Sequence, residues 1–311
     1  MKVGLSGEIE DAAIVPVPNS DLVLVKNIDI MTPLVDEPSI MGEIAACNVT
    51  NDIFALNVPK ISGMLVFLAI QTHMPTEIAE GILIGIKNFM EKKIDSKVVG
   101  GHTIYSGWPL MGGEANGFVQ KDAIIPKSGV KLGDKLILTK PIGLQAVMAA
   151  YRMLKDFPDL LEQYSKSELK RSIDFAIKLM TTSNQKVVKT IHSYEDFSFI
   201  HAMSDITGFG LSGHLKEMLQ YSNLSAIIKM TPSIKLSKQL STELGYSFDD
   251  CTCHETAGGM LISVDPSKSE NFSNTLSRNG VKNWIVGEID KYKPNMVRVS
   301  ENVQNVEVLE L

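Results

Sequence analysis

Met203-Ser204-Asp205-Ile206-Thr207-Gly208-Phe209-Gly210-Leu211-Ser212-Gly213-His214-Leu215 is the stretch on which the reading of this chain turns. It sets a carboxylate beside a hydroxyl, then three glycines, then the start of an apolar helical pattern. Leu211, Leu215, Met218 and Leu219 recur at helical spacing, so one face of that helix is apolar. A carboxylate just ahead of a glycine-rich helix entry suits a divalent cation, and the free N–H groups of the helix start then face any phosphate the cation carries. The same residues also suit a glycine-rich turn in which Asp205 is an ordinary cap. Both readings stand on this segment alone.

Outward from it, strand-like and helix-like runs alternate. Leu22 to Ile30, Ile61 to Ile70, Leu136 to Gly143, Met260 to Val264 and Trp284 to Ile289 read as strands, the third stopped by a turn. Pro38 to Leu56 reads as a helix opened by Asp36-Glu37-Pro38, and Pro75 to Lys93 as a helix with Ile78, Ile82, Ile86, Phe89 and Met90 on one stripe. Further helices are expected at Leu144 to Leu154 and across roughly Leu160 to Ser193. This mixture implies α/β or α+β domains. The Gly- and Lys-rich segment from Pro126 to Lys135 places a boundary near residue 137, giving domains 1–137 and 138–311.

The 311 residues suffice for two domains with buried cores. A composition 44% hydrophobic and 21% charged is that of an ordinary globular chain. The net charge of −6, with no basic stripe, argues against a general nucleic-acid binder. The longest apolar run, Ile61 to Ile70, is too short to span a bilayer, and no signal peptide is visible. Cys47, Cys251 and Cys253 make no disulfide framework, so a reducing cytoplasm is expected.

Carboxylates recur where a charge needs a reason. Asp11 stands at the mouth of the run Ala12-Ala13-Ile14-Val15, either as a ligand or as part of a solvated acidic patch. Asp29 lies late in an apolar strand, where it needs a partner or an edge facing water. Met41, Ala45, Asn48 and Asp52 recur at helical intervals, which puts a polar pair on a small apolar stripe. Val98-Val99-Gly100-Gly101-His102-Thr103-Ile104 reads as a short strand ending in a Gly-Gly turn, where a backbone can approach a phosphate. Cys251-Thr252-Cys253-His254 offers soft ligands at a spacing that is not a zinc-finger pattern.

Five separated segments together resemble the selenophosphate synthetases, relatives of aminoimidazole ribonucleotide synthetase, thiamine-monophosphate kinase and a hydrogenase maturation protein. The opening stretch resembles that family's Asp-Val-Thr-Gly-Phe-Gly-Leu-x-Gly-His. Glu10-Asp11-Ala12-Ala13 resembles its Asp-Asp-Ala-Ala, and Gly42 to Ala55 resembles Gly-x-Ile-Ala-Ala-x-Asn-x-x-Ser-Asp-Ile-x-Ala. Gly100-Gly101-His102-Thr103 resembles Gly-Gly-His-Ser/Thr, and Cys253 to Leu261 resembles Cys-Asp-Pro-Gln-Thr-Ser-Gly-Gly-Leu-Leu, with Glu255 in place of Gln.

The resemblance implies the two-domain fold of that superfamily and a homodimer whose N-terminal sheets pair into a barrel. It implies an enzyme using Mg²⁺ and ATP, which takes ATP, selenide and water to selenophosphate, AMP and phosphate. Asp11, Asp52 and Asp205 are then the metal ligands. Glu8, Ile9, Glu10, Asp29, Asn48, Asp52, Gly101, His102 and Thr103 are the nucleotide contacts, and His214 and His254 are candidates for proton transfer. Several carboxylates suit ATP, because phosphoryl transfer needs positioning and charge neutralisation more than covalent chemistry. The family also carries a glycine-rich segment with a reactive Cys (or selenocysteine) and a Lys upstream of the acidic motif. The ten residues before Asp11 hold Lys2 and no cysteine. A kinase acting on another small acceptor and a non-catalytic nucleotide-binding homologue are the alternative expectations.

Overall fold

The computed structural model of the chain describes residues 2–5 and 7–310. It divides into two compact units, Met1–Lys127 with Met180–Ser193, and Ser128–Leu179 with Tyr194–Leu311. This differs from a boundary at residue 137 in two respects. The first unit gives way to the second ten residues earlier, ahead of strand Lys135–Leu138, and the short segment Met180–Ser193 belongs to the first unit.

The first unit is built on a five-stranded sheet. Its strands are β1 (Ala13–Pro16), β2 (Leu22–Met31), β3 (Ile61–Ile70), β4 (Val98–Tyr105) and β5 (Leu110–Gln120), in the order β1-β2-β5-β3-β4. Only β3 and β4 run parallel. One face carries α1 (Pro38–Ala55) and α2 (Thr76–Asn88), the latter continued by a π-helical turn over Phe89–Lys93. Pro38 at the first turn of α1 suits a position whose N–H has no intrahelical partner. The two helices touch backbone to backbone at Gly42 and Gly85. A Cβ on Gly42 would lie 2.0 Å from the Ile82 carbonyl oxygen, and one on Gly85 would lie 1.9 Å from that of Ser39. This close crossing leaves most of α1 buried, including Asn51 and Asp52.

In the second unit β6 (Lys135–Leu138) is followed by α3 (Leu144–Asp156), α4 (Lys166–Met180) and, returning to the first unit, α5 (Gln185–Ile191). Then come β7 (Ile200–Asp205), α6 (Gly210–Leu219), β8 (Ser225–Ile234), α7 (Ser237–Leu244), β9 (Met260–Val264), α8 (Ser269–Arg278), β10 (Trp284–Asp290) and β11 (Val297–Val308). The sheet order is β11-β8-β10-β6-β9-β7, antiparallel except for β11 against β8. Leu211, Leu215, Met218 and Leu219, spaced as the sequence predicts, bury one stripe of α6 in a core with Leu136, Leu138, Ala202 and Leu261. Among the described residues no helix is long and apolar enough to cross a membrane.

Candidate Mg-ATP site

Asp11 stands just ahead of β1, and Asp52 lies in the last turns of α1. Both are buried, and each offers a carboxylate oxygen within 4.8 Å of the other's. Two like charges this close repel strongly unless a cation lies among them. Lysines answer part of that need. Lys127 Nζ is ion-paired with Asp11 Oδ1, and both side chains are almost fully buried. Lys2 Nζ lies 2.6 Å from Asp52 Oδ2 and 3.6 Å from Asp29 Oδ1. Asp11 Oδ2 remains buried with no hydrogen bond, a costly state for a carboxylate oxygen and a suitable one for a metal ligand.

The sheet register decides which other residues join them. Directly opposed residues share a face. Asp29 pairs with Gly113, Gly113 with Val66, and Val66 with Gly101, and Val66 is buried. Asp29 is thus on the helix-bearing face, where the Asn27 and Asn48 side-chain amides each donate to its Oδ2 at 3.3 Å. Gly101 and Thr103 alternate onto the same face. His102 pairs with Phe67, in the row of Ile30 and Gly112, and so points to the opposite face. The Gly-Gly turn expected at 100–101 is strand interior instead. A Cβ on Gly101 would sit 2.3 Å from the Val66 carbonyl oxygen, so close strand approach explains that glycine.

Near Asp11 the chain is fastened through Glu10, whose Oε2 accepts the Lys127 N–H at 2.9 Å. Burial pushes the Glu10 carboxyl up to about 7, against the opposing pull of that hydrogen bond. Ile9 bridges to Val3, and the Glu8 carbonyl accepts the Gly4 N–H.

In the second unit Asp205 ends β7, and its side chain is buried. It does not cap α6, whose N-cap is Phe209 with no side-chain cap bond. The turn between them is held by His214: its Nε2 accepts the Thr207 N–H at 3.0 Å, and its Nδ1 lies 3.2 Å from Glu217 Oε2. His254 is exposed, while Cys251 and Cys253 beside it are buried, and burial pushes their thiols up to about 12 and about 11.

Two buried groups, Lys127 and Glu255, are absent from the site residues that the sequence singles out. Lys127 lies in the Gly- and Lys-rich stretch that reads as a linker, and only the fold brings it to Asp11. Glu255 is buried, and its two oxygens accept the Gly143 and Leu144 N–H groups at the start of α3. The aligned Gln of the resembling motif was the available hint that this side chain faces backbone donors.

The AIR synthase related protein N-terminal domain family matches residues 9–119, and the AIR synthase related protein C-terminal domain family matches residues 131–299. The chain is 38% identical to a selenide, water dikinase of Methanococcus maripaludis over 99% of this chain and 90% of that protein. It is 37% identical to a selenide, water dikinase of Methanocaldococcus jannaschii, over 98% of this chain and 87% of that protein. A crystal structure of the hydrogenase maturation protein HypE in complex with ATP superposes with a TM-score of 0.72 at 15% identity, covering 94% of this chain and 84% of that one, which shows a shared fold. The chain belongs to the AIR synthase related proteins and, within them, to the selenide, water dikinases.

Proposed function

We propose that this chain is a phosphotransferase that takes ATP, selenide and water to selenophosphate, AMP and phosphate, using Mg²⁺. The observation that carries the reading is the buried Asp11–Asp52 pair, with one Asp11 oxygen lacking any hydrogen bond, in a chain whose relatives are named for that reaction. The donor set fits a hard cation, because it is all carboxylate oxygen. Asp11 and Asp52 would hold magnesium, and Asp205 is proposed as a further magnesium ligand. The ion would supply charge neutralisation on the phosphates during transfer.

The chain's own residues do the positioning. Asn27 and Asn48 fix the Asp29 carboxylate by their amide hydrogens, and Asn48 and Asp29 are proposed to contact the nucleotide. Glu8, Ile9 and Glu10 lie on the strand-like segment that carries Asp11 and are proposed as nucleotide contacts, as are Gly101 and Thr103; His102, on the opposite sheet face, is left out of that set. His214 spends its Nε2 lone pair on the Thr207 N–H, so we assign it the holding of the turn after Asp205. His254, exposed, is the remaining candidate for proton transfer.

A homodimer is proposed through the sheet face opposite the helices. Ile28, Leu65 and Phe118 are exposed there, at 60%, 47% and 47%, and an apolar sheet face of this kind needs a cover. A cytoplasmic location is proposed with the selenium chemistry.

Phosphorus-31 NMR of the chain with Mg-ATP tests the reaction. AMP and orthophosphate forming only when selenide is added is the expected result. ADP formed with another acceptor, or unchanged ATP, would refute it.

A further inference from the structure

Lys2 lies across the acidic group of the first unit like a built-in cation. The main chain holds it there. Val3 and Ile9 are bridged, the Gly4 N–H donates to Glu8, the Glu10 N–H donates to Lys2, and the Ile14 N–H of β1 donates to Val3. Residues 2–5 and 7–10 thus pair into a small hairpin that delivers one ammonium to Asp52 and Asp29.

The two lysines of the site differ in a way that decides their roles. The Lys127 side chain is 6% exposed, and its own N–H is tied to Glu10. Removing its ammonium from Asp11 would strand a buried charge. The Lys2 side chain is 28% exposed at the end of a flexible stem. Water already reaches it, so its departure costs little. A divalent cation on Asp52 competes with the Lys2 ammonium for that carboxylate, and the repulsion between the two cations is relieved most cheaply by the lysine that water already reaches.

We infer that Lys2 is a displaceable counter-cation: it neutralises Asp52 and Asp29 until a divalent metal binds, and metal binding expels its ammonium and loosens the pairing of residues 2–5 with 7–10. This rests on the reading of Asp11 and Asp52 as metal ligands. It adds a linkage, because metal affinity is reduced by the fraction of molecules in which Lys2 holds the site. A pair closed about ten to one weakens apparent metal affinity about tenfold, or about 1.4 kcal/mol.

The test is Mn²⁺ titration without nucleotide, followed by the EPR signal of free Mn²⁺, in the full chain and in Lys2→Met, Asp52→Asn and Lys60→Met. Lys60 is an exposed lysine paired with Asp95 and serves as the charge control. Lys2→Met is expected to bind Mn²⁺ about tenfold more tightly, Lys60→Met to match the parent, and Asp52→Asn to lose binding. Amide hydrogen exchange across residues 2–10 is expected to accelerate when the parent chain is saturated with Mn²⁺. Loss of binding in Asp52→Asn, with unchanged or weaker binding in Lys2→Met, overturns the role of Lys2 alone. So does exchange in residues 2–10 that is unaffected by metal. Unchanged Mn²⁺ binding in Asp52→Asn overturns the metal reading and the inference with it.

Discussion

Replacing Asp52 by Asn separates the folding role of this carboxylate from the ligand role proposed for it. Without ligand, two effects oppose each other. Losing the carboxylate breaks the 2.6 Å ion pair with Lys2, which is partly exposed and therefore worth about 1 kcal/mol. It also removes repulsion from Asp11, whose nearest oxygen lies within 4.8 Å. At an effective dielectric constant near 20 that repulsion is at least about 3.5 kcal/mol, before Lys127 offsets much of it. The net change is small, so the melting temperature of the free protein is expected to move by only a few degrees. Ligand binding behaves differently. At 100 times Kd, Mg-ATP stabilises the parent by about 2.7 kcal/mol, or roughly 4 °C for a protein of this size. An amide facing the metal that raises Kd about 100-fold leaves about 0.4 kcal/mol, roughly 1 °C. Differential scanning fluorimetry with Mg-ATP, and with ATP plus EDTA, reads both terms. A full Mg-ATP shift in Asp52→Asn would refute the assignment.

Three further outcomes follow from the packing and the buried charges. Lys127→Met breaks a nearly fully buried ion pair and strands Asp11, and is expected to cost about 3–5 kcal/mol in urea denaturation; a loss below about 1 kcal/mol would contradict the pairing. Gly42→Ala forces a Cβ to within 2.0 Å of the Ile82 carbonyl, so α1 and α2 must separate; a loss of about 2–3 kcal/mol is expected, and a neutral result would contradict the close crossing. Burial pushes Glu255 up to about 8, partly opposed by the N–H groups of Gly143 and Leu144. A carboxyl raised on folding contributes stability that is present below its unfolded pKa near 4.5 and is lost as pH rises through about 8. Glu255→Gln is therefore expected to flatten that decline and to gain on the order of 3 kcal/mol relative to the parent at pH 9, measured by urea melts across pH. An unchanged pH profile would contradict it.

Much of the first unit was legible because its elements are strongly patterned. Strand β3 coincides with the run Ile61 to Ile70, and α1 ends one residue short of the expected helix. Strand β5 carried no such signal: Gly112, Gly113 and Gly117 weaken its apolar alternation, and their reason lies in close approach to neighbouring strands. The same physics misled at Gly100-Gly101, where glycines that suggest a turn serve strand packing. The carboxylates could be named from their odd places in apolar patterns, and Asn48 with Asp52 from helical spacing. Their cations could not. Lys127 is 116 residues from Asp11 and Lys2 is 50 from Asp52, so neither pairing leaves a local trace. The cap reading of Asp205 failed for a local reason, because four residues separate it from the first turn of α6.

Anomalous diffraction from crystals grown with Mn²⁺ and a non-hydrolysable ATP analogue tests the metal site most directly. The account predicts a manganese peak bonded to carboxylate oxygens of Asp11 and Asp52, with Lys2 Nζ withdrawn from Asp52 and Lys127 still on Asp11. Manganese bound without either aspartate, or an ATP analogue bound with Lys2 still on Asp52 and no metal there, would contradict it.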